Sequence, residues 1–304
     1  MSNTWDKKGK IMRDIGNTIK EIRIMKGIKP TSMKGISRST LSNIENKKSV
    51  PTLENLKLIL ENFSMTENEF FYRHNNYQLS EHEQLIQEFR QINQSSETEK
   101  ILQLQEKYKA YLKANPEDTT IQDFMLLLKT YQEIQRKNTF LIENEDSYAL
   151  YDTLIDRAKR GEWTFLETYI ASRIFYCFPL GRAEELINLV QDSLLKYTKM
   201  NNERRFHSGF LFNCGHYFFE LKQFKRAKDL LISAQNYSKV YQEASTFLGA
   251  SFVLLQIDYI EKKEARPLLK KQIERLIDGA KILEYSGLAV HLEKDFILLE
   301  EKYK

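Results

Sequence analysis

The residues with the clearest chemical potential lie between positions 36 and 45, where the sequence reads Ile-Ser-Arg-Ser-Thr-Leu-Ser-Asn-Ile-Glu. Ser37 is a typical helix N-cap, and Leu41 and Ile44 fall on one face of the helix that follows. The other face carries small polar side chains and Arg38. A narrow helix of this kind can lie in a groove, and arginine and asparagine are side chains that read the edges of bases. The alternative is an ordinary helix whose polar face is simply exposed to solvent.

Other arrangements that could do chemistry are incomplete. His82-Glu83 begins like the zinc-binding His-Glu-x-x-His motif, but position 86 is isoleucine. The spacing of His207, Cys214 and His216 matches no standard set of metal ligands. The sequence contains no P-loop, no glycine-rich dinucleotide loop and no nucleophile elbow. It therefore predicts neither an enzyme nor a bound metal or cofactor.

The composition favours a helical protein of two domains. The chain has 304 residues with 11 Gly and 5 Pro, and its 41% apolar residues are scattered among 29% charged ones. That pattern disfavours collagen-like, disordered and turn-rich all-β proteins. No apolar run approaches the length of about 18 residues that a membrane-spanning helix needs. The N-terminal segment lacks the apolar region of a signal peptide, and two cysteines are too few for a disulfide scaffold, so we expect a cytoplasmic protein.

The positive charge is concentrated at the N-terminal end. Residues 1–75 contain 14 Lys or Arg against 8 Asp or Glu, whereas the remaining residues contain 32 against 34. Between positions 7 and 48 there are 12 basic and 3 acidic residues. A small basic domain attached to a nearly neutral body suggests attraction to a phosphate backbone. A solvated helical surface is the alternative that the charge alone leaves open.

Further helices surround the polar segment. Isoleucines recur at helical spacing from Ile15 to Ile22, and Gly27 ends this first pattern as a helix C-cap does. After the polar segment, Thr52 is an N-cap for an amphipathic helix, and a last short helix begins near Thr66. Together these segments predict a small helical domain that supports the polar helix.

This domain resembles the Xre/Cro type of helix-turn-helix, whose core reads like the present Ser-Arg-Ser-Thr-Leu-Ser-Asn-Ile-Glu followed by a turn and Pro-Thr. The resemblance implies that Arg23 pairs with Glu45 in a structural role. It also implies that the recognition helix, from Ser37 to Glu45, enters the major groove of DNA. The implied base contacts are Arg38, Ser39, Thr40, Ser42 and Asn43, and the implied phosphate contacts are Lys34, Lys47 and Lys48.

One departure from that pattern lies before the recognition helix. Only eight residues separate Gly27 from Ile36, about three fewer than the Xre/Cro type has at this place. We therefore expect the second helix of the motif to be shortened or irregular.

The remainder of the chain is a succession of amphipathic segments separated by brief breaks. One group of residues falls at the spacings of a tetratricopeptide (TPR) unit, in which small residues let paired helices approach closely: Leu211, Cys214, Gly215, Phe218, Ala227, Leu231 and Ala234. Weaker copies lie on either side, with repeats longer than the standard length of roughly 34 residues. We therefore predict an all-α protein, with a helix-turn-helix domain over residues 1–75 and a right-handed TPR-like α-solenoid over residues 76–304.

Stacked helix pairs of this kind present a concave face that binds extended or helical peptides. Asparagine and glutamine can hold the backbone amides of a ligand, and arginine can pair with its carboxylates. The residues that we predict to face the groove are Arg173, Phe210, Asn213, Tyr217 and Gln256. For Phe210 and Tyr217 the alternative is a place in the core between repeats.

The combination of a shortened Xre-type motif with a degenerate TPR-like body resembles the Rgg family of Gram-positive transcriptional regulators. The resemblance implies a cytoplasmic homodimer that binds promoter DNA and senses a short peptide pheromone, as in quorum sensing. The last helices, rich in Leu283, Leu288, Leu292, Phe296 and Leu299, are candidates either for the dimer surface or for a C-terminal cap. Two alternatives stay open: a DNA-binding regulator whose body binds a protein or a small molecule, and a peptide-controlled scaffold that does not bind DNA.

Overall fold

The computed structural model describes residues 14–92, 97–137, 139, 142, 144–197 and 204–303, with the backbone alone at residues 204 and 205. The basic residues at positions 7 to 13 that contribute to the predicted N-terminal charge lie outside these ranges. Within them, all regular structure consists of α-helices and 3-10 turns. The all-α prediction is therefore confirmed. No helix of this part of the chain is both long and apolar enough to cross a lipid bilayer.

The chain divides into two compact units, an N-terminal unit that ends at Gln91 and a repeat unit that begins at Ile92. The sequence placed the division at residue 75, whereas in the structure the helix that follows Ser80 groups with the N-terminal unit. The functions assigned to the two parts stay predictions.

The N-terminal unit contains α1 (Ile15–Met25), α2 (Arg38–Glu45), α3 (Leu53–Phe63), α4 (Glu67–His74) and α5 (Glu81–Arg90). Each helix begins at a side-chain cap whose oxygen accepts hydrogen bonds from amides of the first turn; the caps are Asp14, Ser37, Thr52, Thr66 and Ser80. Such caps satisfy amides that have no partner inside the helix. The helix starts that the sequence predicts at Ser37, Thr52 and Thr66 are confirmed.

Between α1 and α2 the chain forms a single 3-10 turn, Pro30–Ser32, instead of a second α-helix. Gly27, with a φ of +66°, ends α1, and the next amide, that of Ile28, donates to the carbonyl of Arg23 at 3.0 Å. This is the left-handed helix ending that glycine favours. The expected shortening of the second helix is confirmed.

Helices α1 to α4 close over one apolar core, to which α1 contributes Ile19 and Ile22 and α2 contributes Leu41 and Ile44. All four side chains are buried almost completely. Because the apolar face of α2 packs into this core, the opposite face of the helix carries polar side chains.

The repeat unit contains α6 (Thr98–Ala114), α7 (Thr119–Lys137), α8 (Glu145–Arg160), α9 (Phe165–Ser172), α10 (Leu180–Tyr197), α11 (Arg204–Glu220), α12 (Phe224–Tyr241), α13 (Ala244–Glu261), α14 (Arg266–Ile282) and α15 (Ser286–Lys302). Two 3-10 turns, Phe175–Cys177 and Lys263–Ala265, join helices. Most of these helices pack on their neighbours in the chain, and α11 and α13 also pack on the next helix but one. This is the contact pattern of a helical repeat domain.

Small residues let α11 and α12 lie close together. A Cβ atom at Gly215 would lie 2.7 Å from Cγ of Leu231, and Ala227 and Ala234 on α12 are fully buried. These are positions at which the sequence predicts close helix pairing.

Candidate nucleic-acid interface and receptor site

The exposed face of α2 carries most of the residues that the resemblance assigns to DNA. The side chains of Arg38, Ser39, Ser42 and Asn43 are exposed, and Thr40 is half-buried. They follow one another on the same side of the helix, opposite the buried apolar residues. This face can offer a guanidinium, hydroxyls and an amide to a partner at the same time.

Hydroxyl groups at the start of α2 bond to one another. The hydroxyl of Ser37 accepts from the amide of Thr40 at 3.0 Å and lies 2.9 Å from the hydroxyl of Ser39 and 2.8 Å from that of Thr40. Thr40 is therefore engaged in capping the helix, whereas Arg38 and Asn43 are free of such bonds among the described residues.

Sequence reasoning missed Asn46, which extends this face by one turn. Asn46 is exposed, and its Nδ2 atom donates to the hydroxyl of Ser42 at 3.1 Å. The signal was present in the spacing, because position 46 follows Ser42 by four residues and so lies on the same side of the helix.

Three lysines flank α2. Lys34 precedes it, and Lys47 and Lys48 follow it; all three are exposed and form no ion pair within the described ranges. Lys47 adopts a left-handed conformation with a φ of 62°, and the amide of Lys48 donates to the carbonyl of Asn43 at 2.8 Å. This capping turn holds the backbone of both lysines against the end of α2.

A buried ion pair locks α2 to α1. Nε of Arg23 donates to Oε1 of Glu45 at 2.6 Å, and a terminal nitrogen donates to Oε2 at 2.8 Å. Another terminal nitrogen donates to the carbonyl of Ile28 at 3.0 Å. Hydrogen bonding to Glu45 raises the pKa of the Arg23 guanidinium. The structure thus joins the two residues that the resemblance pairs, in the bidentate geometry that fixes the orientation of both partners.

The N-terminal unit has a second link between α1 and α2 that sequence reasoning missed. A Cβ atom at Gly16 would overlap the carbonyl oxygen of Ile44, so the two helix backbones meet directly there. The signal was a glycine inside an otherwise regular helical pattern, which is costly unless close packing requires it.

In the repeat unit, Arg173 lies at the end of α9 beside tyrosine side chains. Its guanidinium lies 5.2 Å from the centre of the Tyr169 ring, and a terminal nitrogen donates to the Tyr169 hydroxyl at 3.2 Å. Its Nε atom is buried and has no hydrogen-bond partner. The neighbouring Tyr131 donates to the Arg173 carbonyl at 3.4 Å, and burial raises the pKa of Tyr131 and Tyr176. These hydroxyls therefore stay protonated and can donate hydrogen bonds.

The structure places the predicted α11 residues differently from one another. Phe210 is only 1% exposed and packs against Phe175, so the core alternative describes it. Tyr217 is half-buried; its ring packs on Phe175, and its hydroxyl donates to the carbonyl of Phe178 at 3.2 Å. Asn213, on the same face between them, is half-buried, and its side chain makes no hydrogen bond within the described part of the chain.

Gln256 on α13 is 6% exposed, and no described contact connects it with Arg173. Phe210 and Gln256 therefore do not line an open surface, because α11 and α13 are covered by helices on more than one side.

A groove of about 600 Å³ lies elsewhere, between α6 and α7, and is lined by Lys109, Lys113, Met125 and Lys129 among others. The residues that the structure describes include no group of His, Cys or acidic side chains arranged to hold a metal ion.

Comparisons with known proteins agree with these observations. Residues 19–70 match the helix-turn-helix family. No curated protein sequence is similar to the chain at a significant level. Among solved structures, a candidate transcriptional regulator from Listeria monocytogenes EGD-e is 20% identical, with a TM-score of 0.76 over 96% of this chain and 99% of that one.

Two further structures are 15% identical, each with a TM-score of 0.64. PlcR of Bacillus thuringiensis, solved in complex with the peptide PapR7 and DNA, is matched over 92% of this chain and 99% of that one. The SHP pheromone receptor Rgg2 of Streptococcus dysgalactiae is matched over 93% and 98%. The predicted resemblance to the Rgg regulators is thus confirmed at the level of the fold: this chain is a helix-turn-helix domain followed by a helical repeat domain, built like Rgg2 and PlcR.

Proposed function

We propose that this protein is a transcription regulator that binds promoter DNA through α2 and senses a short peptide through its repeat unit. It acts in the cytoplasm as a homodimer and serves quorum sensing, and it has no catalytic activity. The observation that carries the proposal is the polar face of α2, which is exposed on a helix fixed by the Arg23–Glu45 ion pair. A rigid helix with such a face is what the reading of base edges in a major groove requires.

The residues around this face divide into two kinds of contact. Arg38 suits the guanine edge, where it can donate two hydrogen bonds to O6 and N7, and Asn43 suits the adenine edge, where it can donate to N7 and accept from N6. Lys34, Lys47 and Lys48 suit phosphates, which supply affinity but no sequence information. The shared fold with PlcR, solved in complex with DNA and a peptide, supports the proposal that this chain binds DNA.

DNA binding is tested with a duplex that the wild-type protein selects from a random-sequence library. We expect Arg38→Ala to weaken binding to this duplex by about 1–3 kcal/mol and to relax the base preference at one position. Arg136→Ala, which removes an exposed arginine from α7 in the repeat unit, is the matched control and leaves both unchanged.

If the wild-type protein shows no salt-dependent binding to any duplex, the regulator proposal is wrong. The alternative of a peptide-controlled scaffold that does not bind DNA is then favoured. If Arg38→Ala binds the selected duplex with unchanged affinity and base preference, the contact assignment is wrong while the regulator proposal survives.

For the peptide, we propose that Arg173 and Asn213 are the main polar contacts. Arg173 keeps one buried donor without a partner, and Asn213 has an uncommitted amide among the described residues. A buried donor left unpaired is costly, and a ligand carboxylate would remove that cost. Tyr217 lies on the same face of α11 as Asn213 and completes the contact surface.

Peptide binding is tested by calorimetry with a pool of short synthetic peptides and then with the tightest single member. We expect Arg173→Gln to weaken the binding of that peptide by about ten- to 150-fold, because a charge-assisted hydrogen bond is worth about 1.5–3 kcal/mol. The control Arg160→Gln changes an exposed arginine on α8. If no peptide binds, the receptor responds to a protein or a small molecule instead.

The dimer proposal rests on apolar side chains left exposed on the last two helices, namely Ile282, Val290, Ile297 and Leu298. Of the leucine-rich set, Leu292, Phe296 and Leu299 are buried within the chain, whereas Leu283 is exposed. The three buried residues therefore pack α15 against the chain, and Leu283 together with the neighbouring exposed positions supplies the docking surface. Two recognition helices in one dimer would read two half-sites, and a peptide would act by binding one dimer arrangement more tightly than another.

Analytical sedimentation measures the oligomeric state directly. The wild-type protein is expected to sediment as a dimer, and Val290→Glu with Ile297→Glu as a monomer that keeps its helical content. A monomeric wild-type protein with and without peptide would contradict the dimer proposal.

A further inference from the structure

The segment that replaces the second helix of the motif is held by a side chain from another helix. Met33 and Ile36 anchor it in the core, with exposed fractions of 6% and 8%. Lys34 and Gly35 lie between them at the surface. The 3-10 turn before them ends at Ser32, and α2 begins after Ser37. The backbone groups of Lys34 therefore belong to no helix and need other partners.

Asn62 on α3 provides those partners. The amide of Lys34 donates to Oδ1 of Asn62 at 2.8 Å, and Nδ2 of Asn62 donates to the carbonyl of Lys34 at 2.9 Å. The same Nδ2 donates to the carbonyl of Leu58, one turn earlier in α3, at 2.6 Å. One amide side chain thus satisfies both backbone groups of Lys34 and is itself tied to its own helix.

A second contact holds the next residue. Gly35 has a φ of +76°, and a Cβ atom there would lie 2.9 Å from Cδ2 of Leu58. A residue with a side chain would be strained in this conformation and would press on Leu58. Asn62 and Leu58, on the same side of α3, therefore brace Lys34 and Gly35 together.

We infer that Asn62 is a positioning residue for DNA binding: it holds Lys34 in place as a phosphate contact and fixes the point from which α2 starts. The inference rests on the proposed function. In a domain with a full second helix, the backbone of that helix would do this work, because every residue is fixed by its neighbours in the helix. Here only a single 3-10 turn precedes Lys34, and the side-chain amide of Asn62 holds the backbone of Lys34 instead.

A purely stabilising role for Asn62 is the competing explanation. The affinity of the folded protein for the selected duplex distinguishes a positioning role from a stabilising one. If Asn62 acts through Lys34, the effects of substituting each residue are not additive. If Asn62 only stabilises the fold, its substitution lowers the unfolding midpoint and leaves the affinity and salt dependence of the folded fraction unchanged.

The experiment uses the full chain and the duplex selected by the wild-type protein. We expect Asn62→Ala to weaken binding about five- to tenfold and to reduce the slope of log affinity against log salt by about one contact, as loss of one phosphate contact does. In a Lys34→Ala background, Asn62→Ala is expected to weaken binding only about twofold. Asn55→Ala, the same substitution on the same helix at a half-buried side chain that holds no loop, is the matched control and leaves both quantities unchanged.

Asn62→Gln gives the same test if Asn62→Ala does not fold, because it keeps the amide but displaces it by one methylene group. Wild-type affinity and salt slope in a folded Asn62 variant, or fully additive effects with Lys34→Ala, would overturn the inference and leave the proposed function intact. Failure of the wild-type protein to select any duplex would overturn both, and that outcome is seen before any variant is made.

Discussion

The two units hold their helices together by different means. In the N-terminal unit a buried ion pair and a direct backbone contact at Gly16 join α1 to α2. Around Phe175 in the repeat unit the joints are aromatic side chains, such as Phe175 against Phe210 and Tyr217. The first arrangement frees the polar face of α2 for a partner, because other residues do the structural work. In the second arrangement, residues predicted to meet a ligand also build the core.

That difference predicts a large effect when one partner of the ion pair is removed. The side chains of Arg23 and Glu45 are 11% and 7% exposed. Removing one partner leaves the other buried without compensation, so Arg23→Ala is expected to cost about 3–5 kcal/mol. Lys109→Ala breaks the pair of Lys109 with Glu106, whose side chains are more than half exposed, and is expected to cost less than about 1 kcal/mol. Denaturant unfolding followed by circular dichroism measures both.

The replacement of both partners of the ion pair sharpens this comparison. Arg23→Met together with Glu45→Leu is expected to recover most of the stability lost by Arg23→Ala, because neither buried charge is left. Equal costs for Arg23→Ala and Lys109→Ala would mean that the N-terminal unit does not depend on its ion pair.

The second prediction compares a glycine from each unit. A methyl group at Gly16 would meet the backbone oxygen of Ile44, whereas at Gly215 it would meet the end of the Leu231 side chain. A backbone group has little freedom to move and a leucine side chain can change its rotamer, so Gly16→Ala is expected to destabilise the protein by about 1–3 kcal/mol and Gly215→Ala by less. Thermal unfolding of the two variants measures both losses of stability. A larger loss for Gly215→Ala than for Gly16→Ala would contradict the comparison.

The smallest expected effect is a pH dependence of stability that arises from His207 in the repeat unit. His207 is 8% exposed, its Nδ1 atom has no hydrogen-bond partner, and burial lowers its pKa. The folded state therefore favours the neutral ring. Its contribution to stability is present above the ordinary histidine pKa of about 6.5 and is lost as the pH falls through the lower, folded value.

Unfolding midpoints at about pH 7 and about pH 5 test this, since these values lie on either side of that pKa. The fall in midpoint is expected to be smaller in His207→Phe, which keeps a ring beside Tyr237, than in the wild-type protein. The same fall in His207→Phe and in the wild-type protein would remove His207 as its source.

The comparison also explains what could be predicted from the sequence. The helix starts at Ser37, Thr52 and Thr66 were predictable because a cap and the helix that it begins are adjacent in the chain. The exposure of Arg38 and Asn43 was predictable because α2 is short and has one apolar face. The brace from Asn62 to Lys34 was not, because it joins a side chain to backbone groups far along the chain and leaves no periodic pattern.

The residues that we propose to face a peptide were harder to predict for a related reason. α13 is apolar nearly all the way round and packs on several helices, so periodicity does not distinguish a groove from a core at Gln256. Phe210 has the same ambiguity on α11, where aromatic residues follow one another closely. At Arg173 the residue type itself, a cation among apolar neighbours, carried the signal.

The central claim is that α2 is the part of the molecule that meets the edges of a DNA duplex. A chemical nuclease attached to cysteine in a Ser49→Cys variant tests it, because Ser49 is exposed beside α2 but outside the predicted contact face. The two natural cysteines, Cys177 and Cys214, do not compete for the label, since both are buried and burial raises the pKa of their thiols. We predict cleavage confined to the selected site and absent from a duplex in which the selected bases are scrambled; binding without any cleavage from position 49 would contradict the account.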